Sequence, residues 1–234
     1  MWTYLKLIIV VASIALQGCA TYGKISALPG DGQKLIYKDD RTILISEKYN
    51  TVSLVPKLEK IRSGQKGDFI LTIDNKSLNS IQFSINNISA NGYSSDIDEM
   101  SVLKIFSREE LTNKEKNSQE IKGAWSGLGS VLYGLDAAEK SGTTSSYSAE
   151  STLKKHNERA EKSKEMGKNK LQELKLLVSE NTITILPGEK MSGVIRIQLP
   201  KITEVRKDVL FVVNVDKEEH KLIFTQKKID KENN

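Results

Sequence analysis

Ile81, Phe83 and Ile85 alternate with Gln82, Ser84 and Asn86, the period of two that sets one face of a strand in a core and the other in water. Short β-rich runs of similar character stand at Leu35-Ile36-Tyr37, Thr42-Ile43-Leu44-Ile45, Val52-Ser53-Leu54-Val55, 69–73 and 102–106. Turn formers punctuate them: Asp74-Asn75-Lys76-Ser77 follows one run, and Asn91-Gly92 is read as closing another. Strands resume at Thr182-Ile183-Thr184-Ile185, and Leu186-Pro187-Gly188-Glu189 has the proline and glycine of a type II turn. Runs at 194–199, 209–215 and 221–225 complete the set. Val209-Leu210-Phe211-Val212-Val213 is apolar at every position, which predicts a central strand covered on both faces. About nine short strands separated by turns predict a mainly β chain, an antiparallel β-sandwich of immunoglobulin-like kind.

The pattern changes at Ser107. Ser107-Arg108-Glu109-Glu110 has the form of a capping box, and no proline occurs between Pro56 and Pro187. Helices are predicted at 108–139 and 150–178, joined by the polar stretch 141–146, as a long α-helical hairpin interrupting the sandwich. In the first helix Ile121, Trp125, Leu128, Leu132 and Leu135 make one apolar stripe, while Gly123, Gly127, Ser130, Gly134 and Ala138 make a second face of small residues. Interior glycines cost about 1 kcal/mol each against alanine, so another backbone is expected close by. Three readings stay open for Gly123, Trp125, Gly127 and Gly134: packing against Ala160, Ser163, Gly167 and Leu171 of the second helix, a binding or self-association surface, or membrane insertion.

At the N-terminus Lys6 precedes the apolar run 7–16. Ten helical residues span about 15 Å, half of what a bilayer core requires, so a cleaved signal over 1–18 is predicted rather than an anchor helix. Leu16-Gln17-Gly18-Cys19 resembles the lipobox of bacterial lipoproteins, and Cys19 is the chain's one cysteine. The resemblance is confined to about the first twenty residues. It implies a diacylglycerol on the Cys19 thiol and an acyl chain on the new amine, hence stable membrane attachment, since more than one chain is needed for it. Ala20, in place of an aspartate, implies the outer membrane in the Gram-negative version of the family. Residues 19–33 then read as a lipid-anchored tether, 34–106 and 180–228 as the sandwich, and 107–179 as the inserted hairpin.

Composition narrows the chemistry. Two histidines and one cysteine leave no disulfide framework and no zinc or iron–sulfur ligand set. His156 is expected on a solvated helix face, and His220 at a hairpin edge. Asp96, Asp98 and Glu99 lack the glycine and distal glutamate of a calcium loop. The glycines of 123–134 fit neither a dinucleotide-binding turn nor a nucleophile elbow. A net charge of +5 comes without interleaved aromatic and basic residues, which argues against nucleic acid. No catalytic residue, metal or cofactor other than the lipid is therefore expected. The chain reads as a lipid-anchored cell-envelope protein that works as a non-enzymatic interaction or assembly module, with a protein partner or a second copy of itself. The alternatives are an envelope hydrolase acting on polymer or lipid, and an obligate structural part of an export or conjugation apparatus.

Overall fold

The computed structural model describes residues 21–38, 41–94, 97–118, 158, 161–162 and 165–229. In chain order the strands are β1 Tyr22–Leu28, β2 Gln33–Lys38, β3 Arg41–Glu47, β4 Thr51–Pro56, β5 Lys60–Arg62, β6 Lys66–Asp74, β7 Ile81–Phe83, β8 Ile88–Ser94, β9 Ile97–Val102, β10 Ile105–Phe106, β11 Ile183–Ile185, β12 Lys190–Gln198, β13 Lys207–Val215 and β14 Glu218–Lys228. One six-stranded sheet runs β5-β1-β14-β13-β8-β9 and a second runs β10-β12-β6-β4-β3-β2. Every pairing between these strands is antiparallel. β7 and β11 form a separate two-stranded ribbon.

The two large sheets share one core because their strands alternate. Along β6, Gly67, Phe69, Leu71 and Ile73 are buried while their neighbours are half-buried. Phe69 of the second sheet meets Phe211 and Phe224 of the first edge-on, with ring centroids 4.7 and 5.2 Å away. Edge-to-face contact suits the aromatic quadrupole and adds about 0.5–1.5 kcal/mol per pair beyond area burial.

Several local readings change. Tyr22–Leu28, read above within the tether, is a strand paired with β14 on one side and β5 on the other; Ile25 is 2% exposed. Its period-two signal is weak because small residues, Gly23 and Ala27, stand at two inward positions while Tyr22 and Leu28 stand at outward ones. Asn91 and Gly92 make no turn, since both sit in the β8 ladder opposite Leu210 and Val209. β13 is an inner strand, but Leu210 and Val212 are only half-buried; antiparallel sheets tolerate a partly solvated outer face. The strand number among the described residues, fourteen, exceeds the reading from sequence because several are only two or three residues long.

Helix begins at residue 108, as the cap predicts: the Glu110 amide donates to Ser107 Oγ at 3.0 Å. The reciprocal half of the box is replaced by an ion pair of Glu110 with Lys104 at 2.6 Å. Residues 108–118 are helical, and so are 165–174. The second helix stops there rather than at 178, because Leu177 enters a parallel bridge with Val194. Phe106, Leu111, Leu174 and Leu177 form a small second core at the foot of this insertion, and Lys170 pairs with Glu115 at 2.6 Å. Residues 158, 161 and 162 are helical as well, and the rest of the predicted hairpin between 119 and 164 lies outside the described residues.

Candidate interaction groove

β11 and β12 are consecutive strands joined by the turn Leu186–Glu189, yet they do not pair with each other. The turn is of the expected type: the Glu189 amide donates to Leu186 O at 3.0 Å, and Gly188 takes φ +77°, which only glycine adopts readily. Asn75 holds the two strands apart. Its side-chain amide donates to Ile185 O at 2.9 Å, its own N–H donates to Glu189 O at 3.0 Å, and its carbonyl accepts from the Gly188 amide at 2.8 Å. Asn75 is fully buried, so these bonds are not in competition with water.

The gap beside the splayed strands is a groove of about 530 Å³. Ile70, Phe83, Ile183, Met191 and Val194 supply its apolar floor, and residues 175–179 form one wall. That wall is fastened to β12: the Val194 amide donates to Leu176 O at 2.8 Å, and the Val178 amide donates to Val194 O at 3.0 Å. A Cβ on Gly193 would lie 2.9 Å from Val178 Cγ2, so the glycine is what allows this approach. The charged side chains lining the groove are Arg108 and Lys175, both cations. Arg108 Nε donates to Leu177 O at 2.9 Å. Its terminal amino groups and the Lys175 ammonium have no partner among the described residues. The nearby Glu109 carboxylate is occupied, accepting from Ser179 Oγ at 2.5 Å and the Glu180 amide at 3.0 Å. Burial alone would raise its pKa, but those two donors and the adjacent Arg108 hold it below the usual value. Volume, apolar lining and a few convergent polar groups match the general character of binding sites.

A second polar cluster has the residue types of a hydrolytic triad. His220 Nδ1 lies 3.0 Å from Ser46 Oγ, and its Nε2 lies 3.8 Å from Glu218 Oε2. His220 is 0% exposed and Ser46 5%, so both residues are buried. The expected hairpin-edge position of His220 is corrected accordingly: its side chain points inward between the sheets. Glu218 instead closes the β3–β4 connection, accepting from the amides of Tyr49 and Asn50 and from Asn50 Nδ2 at 2.7–2.9 Å. The cluster ties two loops together.

Cys19, Gly123, Trp125, Gly127, Gly134 and His156 all lie outside the described residues, as do Ala160 and Ser163. Gly167, expected on the face opposite the first helix, is buried. Among the described residues no three His, Cys, Asp or Glu side chains gather as a metal site. Arg108 and Lys175 were not singled out from sequence. The signal available was the apolar triplet Leu176-Leu177-Val178, which continues past the helix with no helical period. No family model matches the chain, and neither a curated protein nor a solved structure does.

Proposed function

We propose that this chain is a lipid-anchored protein of the bacterial cell envelope, held at the outer membrane through Cys19, that acts as a non-enzymatic interaction or assembly module. The observation that carries the interaction role is the groove beside β12, an apolar trough whose charged lining is the cations Arg108 and Lys175, with no carboxylate among the lining residues. The anchor is supported by Leu16-Gln17-Gly18-Cys19 and by the absence of any other cysteine in the chain. We attach to this reading an immunoglobulin-like sandwich interrupted by a helical hairpin. Its support is two antiparallel sheets with a common core, and helical residues on either side of 119–157.

Two measurements test the parts separately. Metabolic labelling with an acyl precursor and detergent-phase partitioning should show a lipidated, membrane-bound product that Cys19→Ser loses; a lipidated Cys19→Ser product ends the anchor claim. Crosslinking in intact cells followed by solubilisation should trap a protein on the full chain, and Ile183→Asp in the groove should reduce that yield. A yield unaffected by Ile183→Asp removes the groove from the interaction role.

A further inference from the structure

Resting on that interaction role, we propose that the groove takes an extended, apolar segment of a partner protein bearing a carboxylate, which adds as a short strand to the open end of β12. Three independent observations converge on this occupant.

The first is backbone geometry. Val194 turns its N–H and C=O outward, away from β6, and uses both on Leu176 and Val178. Strand residues two apart present their backbone groups to the same side, so Ser192 and Lys190 offer theirs to that edge as well. Segment 175–179 reaches no further along β12 than Val194, and among the described residues no other backbone group bonds to Ser192 from that side. An edge of this kind is the template for strand addition, in which main-chain bonds give affinity and side-chain pockets give selectivity.

The second is the floor. Ile70, Ile183 and Met191 lie around this free edge, and Ile183 is 38% exposed. An added strand sends alternate side chains onto such a surface. A bare acyl chain would cover the floor but leave the Ser192 backbone groups unused.

The third is charge. Arg108 and Lys175 line the trough with no acidic side chain among the lining residues. Complementary charge favours a partner segment with a glutamate, an aspartate or a free C-terminal carboxylate.

The test uses the full chain and an array of pentapeptides alternating valine, isoleucine and threonine, each made with a terminal carboxylate and with a terminal amide. Carboxylate forms should bind more tightly than amides. Lys175→Glu should weaken them by about three- to tenfold while leaving the amides unchanged, and Lys175→Arg should restore binding. Lys175 is exposed and its ammonium makes no ion pair among the described residues, so neither change threatens the fold. Amide hydrogen exchange at Ser192 should slow with peptide, and N-methylation of the peptide backbone should abolish both effects. The proposal is overturned by an array with no binder, by N-methylated peptides that bind equally well, or by palmitate that binds without protecting Ser192. If any of these occurs while crosslinking still traps a partner, the interaction role stands and the strand-addition mode alone is lost.

Discussion

His220 Nδ1 on β14 and Ser46 Oγ on β3 lie 3.0 Å apart across the space between the two sheets, and both residues are buried. Among the described residues His220 Nε2 has no hydrogen-bond partner, Glu218 Oε2 being 3.8 Å away. Burial therefore pushes the His220 pKa below its ordinary 6.5, with Glu218 opposing and Lys48 adding to the shift. For Glu218 burial acts to raise the pKa. The Asn50 and Tyr49 amides, the Asn50 side chain and His220 outweigh it, so the carboxyl sits below its ordinary 4.5.

The two groups give stability a defined acid profile. Between the lowered folded-state pKa of His220 and the unfolded 6.5, the unfolded chain binds more protons than the folded one, so stability falls as pH falls through that window, by at most about 1.4 kcal/mol per unit. Glu218 stabilises the fold above pH 4.5, and that contribution is lost as pH falls further. Urea midpoints from pH 7.5 to 5 should drop in the wild type and stay flatter in His220→Gln. Parallel pH profiles for the two proteins would show that the imidazole is solvated or ionised in the fold.

Gly23 distinguishes a strand from a tether at the N-terminal end. A Cβ there would lie 2.8 Å from Ile202 Cδ1 and 2.9 Å from the Lys227 carbonyl of the neighbouring strand. The backbone atom cannot yield without disturbing the ladder, so Gly23→Ala should cost about 1–3 kcal/mol. Gly30 has an ordinary φ, and its nearest neighbour in the same sense is Gln33 Oε1 at 3.5 Å. Gly30→Ala should be neutral or stabilise by a few tenths of a kcal/mol through the unfolded state. Thermal melts of both variants decide the matter, and a neutral Gly23→Ala would mean that β1 is not seated against β14.

Arg196 and Asp68 form a two-pronged pair with both contacts at 2.6 Å and side chains 18% and 14% exposed. The Asp68 hydrogen bond is the main cause holding the Arg196 pKa above its ordinary value, against burial. Arg196 also lies 3.7 Å from Glu173 on the second helical segment, so it links sheet and insertion. Arg196→Ala should cost about 3 kcal/mol because it strands a half-buried carboxylate, whereas Arg196→Met with Asp68→Leu should be close to neutral. Equal losses in the single and double variants, measured by chemical denaturation, would show that the charges themselves hold this corner.

The features legible in the sequence are those made by neighbours in the chain. Ser107 caps residues 108–118 through a bond three residues away, and Pro187-Gly188 specifies a turn through its own dihedral preferences. Asn75 reads as a turn former, but its bonds to Ile185 and Glu189 span the whole insertion and leave no local trace. The groove was illegible for the same reason. Arg108 and Lys175 stand at opposite ends of the inserted segment, and only the tertiary fold brings them to one trough. Glu218-Glu219 beside His220 suggest a wet edge, whereas alternation along β14 sends the imidazole inward.

The wall of the groove depends on Leu177. This side chain is 1% exposed, packs with Phe106, Leu111 and Leu174, and its carbonyl accepts from Arg108. Removing it leaves a cavity at the foot of the insertion, and Leu177→Ala should cost about 2–5 kcal/mol. Leu176 beside it is 59% exposed, so Leu176→Ala should stay within about 0.5 kcal/mol. The small core that holds Leu177 is separate from the one between the sheets, so the loss should be local in character. Amide exchange should accelerate in Leu177→Ala at Val178 and Val194, whose bonds fasten the wall to β12. At Leu71 and Phe211, deep between the sheets, it should remain slow. Uniform acceleration across both sheets would mean that the insertion and the sheets unfold as one unit, and that the wall cannot open without the rest of the molecule.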